Sequence, residues 1–250
     1  MNAGASIAIF IPAYQVEHSL ARVVARIPEA LWPDVSACWI INDGSRDGTA
    51  AAAERLAQER PDKVRAVHLD PNRGYGGVVK EGLARCREIG ADFSFCVHGD
   101  GQYPPEAIPD FVAALRREQI DILQGSRHAG GTALQGGMPV YKWAAGKALV
   151  FLENAAFGLR MTDYHSGFLA YSKRALQVLP FQRLSPSFDI DLELIASARA
   201  LGLRVSELPI PTHYGDEESH LSPIPYGLRV LRVILRYRMG AYHRLARAAS

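Results

Sequence analysis

Residues 93–106, FSFCVHGDGQYPPE, hold the reading of the whole chain. Residues 93–97 are mostly apolar, a run of strand length rather than helix length. It stops at His98-Gly99-Asp100-Gly101-Gln102, and Pro104-Pro105 then prepares a new helix. A carboxylate, Asp100, therefore stands just past the end of a buried strand. In an open parallel sheet, the loops at that edge leave a crevice for ligands where the strand order reverses.

The same unit recurs on either side. Residues 7–11 are an apolar run closed by Pro12-Ala13-Tyr14, after which Val16, Leu20, Val23, Val24 and Ile27 share one helical face, with Pro28 at its end. Residues 38–41 lead into Asn42-Asp43-Gly44-Ser45-Arg46-Asp47-Gly48-Thr49, a turn-rich loop that opens an alanine-rich helix. A third strand over 64–69 is followed by Asn72-Arg73-Gly74-Tyr75-Gly76-Gly77 and a helix ending near Gly90. The helix of Phe111, Val112 and Leu115 completes the opening unit, and a fifth strand over 120–123 ends in Gln124-Gly125-Ser126-Arg127. Strands alternating with helices predict an α/β fold: a mostly parallel sheet with helices on both faces and right-handed crossovers.

Beyond Arg127 the pattern changes. The glycine-rich residues 128–138 read as a lid over the crevice. A long helix over 140–157 follows, then Asp163-Tyr164-His165-Ser166-Gly167-Phe168, a strand-like FLAYS, a helix bearing Asp189, Asp191 and Glu193, and a strand over 205–210. At period two the three carboxylates cannot share one helical face, so some of them are expected in solvent. No linker and no repeat interrupts the chain, which predicts one domain over 1–223 and a C-terminal helix over 224–250.

With 250 residues, 48% of them hydrophobic and 22% charged, the composition fits one large core and carries no disorder signature. Cys38, Cys86 and Cys96 are odd in number and lack metal or redox spacing, so they read as reduced packing residues in a cytoplasmic protein. No basic n-region precedes the short N-terminal apolar run, and no stretch reaches the ~18 apolar residues of a spanning helix. The net charge of +2 is unevenly spread: residues 226–250 hold six arginines and no acid, which leaves the rest of the chain net negative. No nucleic-acid partner is expected. In the tail, Val230, Val233, Ile234, Tyr237 and Ala241 form one helical stripe and Arg229, Arg232 and Arg236 another. Two readings stay open: a basic amphipathic helix lying on an anionic bilayer, or a terminal helix packed on the domain with its arginines outward.

Each polar loop taken singly is ordinary turn chemistry. Gly74-Tyr75-Gly76-Gly77, for instance, lacks the Gly-Lys-Ser/Thr of a P-loop and the spacing of a dinucleotide fingerprint. Taken together and in order, Pro12-Ala13-Tyr14 with Glu17, Asn42-Asp43-Gly44-Ser45, Asn72 to Gly77, His98 to Glu106, Gly125-Ser126-Arg127 and Ser166-Gly167-Phe168 resemble the family-two inverting glycosyltransferases. Within that family the likeness is to the dolichyl-phosphate mannose synthase and polyprenyl-phosphate glycosyltransferase branch, over roughly residues 6–220.

The resemblance implies a GT-A fold, a nucleotide-diphosphate sugar donor, a Mg²⁺ or Mn²⁺ ion and a hexose transferred to a polyprenyl phosphate, with peripheral attachment to the inner face of a membrane. It implies that Pro12, Ala13, Tyr14, Glu17, Asp43 and the His98-Gly99-Asp100 turn meet the nucleotide sugar. Hard cations take oxygen ligands, which points to Asp100, with Gln102 supplying an amide oxygen and His220 a loop nitrogen. His98 stands where the family's Asp-x-Asp motif has its first carboxylate. Asp100, Arg127 and Asp163 are the implied catalytic residues, and Arg127, Asp163 and Ser166 are implied at the acceptor. A phosphate monoester is already mostly dianionic at neutral pH and needs no base, whereas a sugar hydroxyl needs one; the base candidates are Asp163, Asp189, Asp191 and Glu193. Transfer to a hydroxyl is thus a second reading. A non-catalytic sugar-nucleotide-binding or membrane-recruitment module is a third, motivated by His98 and the basic tail.

Overall fold

The computed structural model describes residues 5–129, 140–211 and 223–247. In chain order the elements are β1 (Ile7–Ala13), α1 (Leu20–Ala25), β2 (Val35–Asn42), α2 (Thr49–Glu59), β3 (Val64–His68), α3 (Tyr75–Ile89), β4 (Phe93–Cys96), α4 (Ile108–Glu118), β5 (Ile122–Ser126), α5 (Val140–Phe157), β6 (Leu169–Ser172), α6 (Lys173–Val178), α7 (Ile190–Ala200), β7 (Val205–Pro209), α8 (Pro223–Arg238) and α9 (Ala241–Arg247). The strands form one sheet in the order β3-β2-β1-β4-β6-β5-β7. All pairings are parallel except those of β6, which runs antiparallel between β4 and β5. The sequence marks β6 as a strand but carries no sign of its direction.

Strand side chains alternate between the two faces, and the core divides accordingly. Ala8 and Phe10 of β1 and Trp39 and Ile41 of β2 pack under α3 and the helices from α5 onward. Ile7, Ile9 and Ile11 pack with α1, α2 and α4 on the other face. The expected α/β architecture with helices on both faces is the one observed. Cys38, Cys86 and Cys96 are free and buried within it. Burial pushes the Cys38 and Cys86 thiols up to about 12, so they act as packing groups.

The C-terminal helices lie on the β1-even face, against α5 and α7. Val230, Val233 and Tyr242 are fully buried there. This selects the packed reading of the tail stripe. Two of its arginines also pair with the domain: exposed Arg229 bonds Ser187 and faces Asp189 at 3.6 Å, and half-buried Arg236 bonds Glu193. Glu193 is fully buried and also accepts from the Tyr242 hydroxyl at 2.7 Å and the Ser185 N–H. The expectation that some of the three α7 carboxylates are solvated is corrected: Asp191 and Glu193 are buried, and Asp189 accepts from Ser185 at 2.8 Å. Helical periodicity alone ignores that α7 is covered on two sides, by the sheet and by α8 and α9. No helix among the described residues is long and apolar enough to cross a membrane.

Candidate active site

The strand order reverses between β1 and β4, and at that point a cavity of about 900 Å³ opens along the carboxyl ends of β1, β2 and β4. Pro12, Ala13 and Tyr14 reach it from β1, Asp43, Gly44 and Arg46 from β2, and His98, Gly99, Asp100 and Gln102 from β4. Asp43 is buried and accepts from the Arg73 N–H at 2.7 Å, while Asn72 bonds its carbonyl, so the glycine turn before α3 braces it. Asp100 accepts from the Gln102 backbone N–H at 3.0 Å, a local turn that aims the carboxylate. Glu17 does not line the cavity. It accepts from the Gly48 N–H and lies 3.0 Å from His18, tying the loop after β1 to the loop after β2.

His98 sits in an aromatic nest. The Tyr75 hydroxyl donates to Asp191 Oδ2 at 2.9 Å and lies 3.0 Å from His98 Nε2. A tyrosine has one proton to give, so His98 Nε2–H donates to the Tyr75 oxygen and Nδ1 remains the acceptor. Tyr103 meets the His98 ring edge-on at 4.9 Å, and Phe188, which is exposed, stacks on Tyr75 at 5.4 Å. Gly167 packs against the imidazole so closely that a Cβ there would lie 2.4 Å from Nε2. Burial pushes the His98 pKa down, and His98 is neutral where the resemblance leads one to look for a carboxylate. Burial also lifts Asp191 to about 7, against the opposing Tyr75 hydrogen bond.

The far end of the cavity is lined by Arg127, His165 and Tyr226. Asp163 is fully buried behind Arg127 and takes two side-chain bonds from it, Nε at 2.8 Å and Nη2 at 3.2 Å, plus the His165 N–H at 2.8 Å. Burial alone pushes this carboxyl up, but the Arg127 charge and these bonds prevail and hold it at about 2. A carboxylate held that low and that firmly is a poor proton acceptor. Ser166 is buried, outside the cavity lining, and its carbonyl accepts from Gln124. Of the acceptor set expected from sequence, only Arg127 faces the cavity.

His220 and residues 130–138 of the segment expected to form a lid lie outside the described residues. Among the described residues, no cluster of three or more His, Cys, Asp or Glu side chains is placed to hold a metal ion. The oxygen donors at the cavity near β4 are Asp100 and Gln102. Sequence reading passed over Tyr103, Phe188 and Tyr226 at the cavity and Glu153 behind it. Glu153 did leave a signal, as the one acid in the apolar helix over 140–157.

The sequence profile of glycosyl transferase family 2 matches residues 8–179. The chain is 27% identical to the UDP-N-acetylglucosamine–dolichyl-phosphate N-acetylglucosaminyltransferase of Methanococcus voltae, over 93% of this chain and 96% of that protein. It is 27% identical to the undecaprenyl-phosphate mannosyltransferase of Micrococcus luteus, over 80% of each. Among solved structures, it superposes on glucosyl-3-phosphoglycerate synthase of Mycobacterium tuberculosis in complex with Mn²⁺, UDP and phosphoglyceric acid, with a TM-score of 0.69 and 18% identity, over 94% of this chain and 79% of that one.

Proposed function

The chain belongs to glycosyl transferase family 2, and from that premise we propose that it transfers a hexose from a UDP- or GDP-sugar to the phosphate of a polyprenyl lipid at a membrane surface. The observation that carries this reading is the division of the cavity. One end presents Asp100 and the loops after β1 and β2, and the other presents Arg127 backed by a firmly ionised Asp163. A cationic end without a free base suits an acceptor that arrives already charged, and a lipid phosphate does. The named acceptors of the two relatives, dolichyl and undecaprenyl phosphates, support the same class.

In this reading a phosphate oxygen attacks the anomeric carbon, the bond from that carbon to the diphosphate breaks, and configuration inverts in the single displacement. The electron pair stays on the departing nucleoside diphosphate. Asp43 and the 12–14 turn hold the base and ribose, Phe188 and Tyr75 wall the sugar, and Arg127 draws the acceptor phosphate in. Among the described residues the donor set near β4, one carboxylate and one amide oxygen, fits a hard divalent ion such as Mg²⁺ or Mn²⁺. When bound, such an ion neutralises charge developing on the leaving diphosphate. Asp100 and Gln102 would hold it.

Membrane contact is supported by the outer face of α8. Leu228, Leu231, Leu235 and Met239 are exposed on the side opposite buried Val230 and Val233. Exposed Arg232 and Arg238 flank them, and residues 223–247 contain no acid. Anionic lipid headgroups complement that charge at about 1 kcal/mol per arginine. The stripe begins two residues after Tyr226, which lines the cavity.

Asp191 favours a second reading. A cavity-lining carboxyl with a pKa of about 7 is suited to act as a general base, which a hydroxyl acceptor requires. Calorimetric titration with UDP- and GDP-sugars and Mn²⁺, followed by transfer to a polyprenyl phosphate, tests the main reading. Failure to bind every such donor refutes it. A product stable to mild acid, with turnover lost in Asp191→Asn, selects the hydroxyl reading.

A further inference from the structure

Behind the Arg127 end of the cavity lies a polar group that the reaction as drawn does not use. Glu153 of α5 is fully buried, and neither of its carboxyl oxygens has a hydrogen-bond partner. The nearest basic atom is His165 Nε2 at 3.5 Å, which is also without a hydrogen bond. The other nitrogen of the same ring, Nδ1, lies 3.1 Å from the Tyr226 hydroxyl. His165 and Tyr226 line the cavity and Glu153 does not.

We infer that Glu153, His165 and Tyr226 form a directed hydrogen-bond chain, with Glu153 and His165 as positioning residues that hold the Tyr226 hydroxyl as a donor toward the acceptor phosphate beside Arg127. The inference rests on the lipid-phosphate reading above. An ionised carboxylate in this position would lose its hydration without compensation, so it is kept as the acid. Burial, with Asp163 adding its charge, pushes Glu153 up to about 9, and burial brings His165 down to about 4. At neutral pH both are uncharged, and the count of protons then fixes every direction. The Glu153 O–H donates to Nε2 once the 3.5 Å gap tightens, as such gaps do on ligand binding. Nε2 is then the acceptor nitrogen, Nδ1–H donates to the Tyr226 oxygen, and the tyrosine's own proton is left for the cavity. If Glu153 ionises, the chain reverses: Nε2–H donates to the carboxylate, Nδ1 accepts the Tyr226 O–H, and the cavity meets a lone pair. An anionic acceptor is held by the first state and repelled by the second.

The groups facing this chain are consistent with that order. The loop before β6 brings Asp163 and Tyr164 toward Glu153, α8 brings Tyr226, and α7 acts on Tyr226 through Asp191. Burial, together with Arg127 and His128 after β5, disfavours a charged His165 and outweighs Asp163, which favours it. Lys147 of α5 acts on His128 rather than on Glu153.

The test uses the full chain with a UDP- or GDP-sugar and a polyprenyl phosphate in detergent between pH 6 and 10. Acceptor KM should rise roughly tenfold as pH passes about 9, the loss expected when a hydrogen bond to a charged group is removed. Glu153→Leu should show the raised KM at every pH. Glu153→Gln, whose amide donates to Nε2 without titrating, should restore a low KM and flatten the profile. Tyr226→Phe should raise acceptor KM while donor affinity is retained. Nitrogen-15 NMR of His165, which needs no turnover, should report Nδ1–H below pH 9 and Nε2–H above it. An Nε2–H tautomer at pH 7, or an alkaline rise that survives in Glu153→Gln, overturns the chain. Wild-type protein that transfers to no lipid phosphate refutes the reading on which it rests, a result distinct from transfer with an unperturbed profile.

Discussion

The two ends of the cavity are built by different means. At the proposed nucleotide end, Asp43 and Asp100 follow β2 and β4, both paired to β1, and each is aimed by a bond from its own or the adjoining loop. The Asp100 to Gln102 turn spans two residues. At the proposed acceptor end the groups come from the loops after β5 and before β6 and from α5, α7 and α8, and their ionisation depends on distant partners. Tyr75 and Asp191 are 116 positions apart. Function and stability are therefore separable at the first end and entangled at the second, since a buried charge that loses its partner destabilises the fold around it.

This contrast can be broken by substitution. The largest effect is expected for Asp100→Asn, a fall in kcat of about 10²–10³-fold with an unchanged melting temperature, because electrostatic stabilisation of the leaving group is removed without touching the core. A comparable fall in melting temperature would erase the distinction. Arg127→Ala should instead destabilise the fold by about 3–5 kcal/mol by leaving Asp163 buried and unpaired, as urea titration would read. Its pH dependence has a definite sign. Asp163 is depressed to about 2, so the stability contributed by the pair is present above the ordinary carboxylate value and lost as pH falls through about 2. The variant should lack this acid limb, and a limb of unchanged depth would mean the stabilisation lies elsewhere.

Gly167→Ala sharpens the comparison at the boundary between the two ends. Its Cβ would press on His98 Nε2 and shift an imidazole confined by Tyr75 and Tyr103, for about 1–3 kcal/mol of stability and weaker donor binding. Calorimetry on the variant checks both; wild-type values in both would show that the His98 nest yields freely. The smallest effect on stability is expected for Leu231→Ser with Leu235→Ser, within about 0.5 kcal/mol because both side chains are exposed. Flotation with phosphatidylglycerol vesicles should nevertheless lose the protein, and undiminished flotation would remove α8 from the membrane contact.

The loops of the proposed nucleotide end were largely legible because their chemistry is local. A strand run, a turn and a carboxylate within ten residues state their geometry in order, as residues 93–102 do. Glu17 shows the limit of that locality: it sits in the right loop, but its carboxylate turns to the Gly48 N–H instead of the cavity. The tail shows a different limit. Its apolar stripe was visible, yet periodicity cannot distinguish a face packed on protein from one laid on lipid. The packing of Val230 and Val233 settled that, and it left a second row of leucines outward.

By itself the sequence determined the alternation of strands and helices, the edge at which the cavity opens and the residues of the loops after β1, β2 and β4, since hydrophobic period and turn chemistry act over a few residues. The tertiary structure alone decided that β6 runs antiparallel, that Asp163 is bound to Arg127, that Glu193 anchors the C-terminal helices, and that Glu153 is buried without a hydrogen-bond partner. Direction of pairing and state of ionisation depend on what is packed against a residue from elsewhere in the chain, and the energy of a buried charge is set by those neighbours rather than by its own position in the sequence.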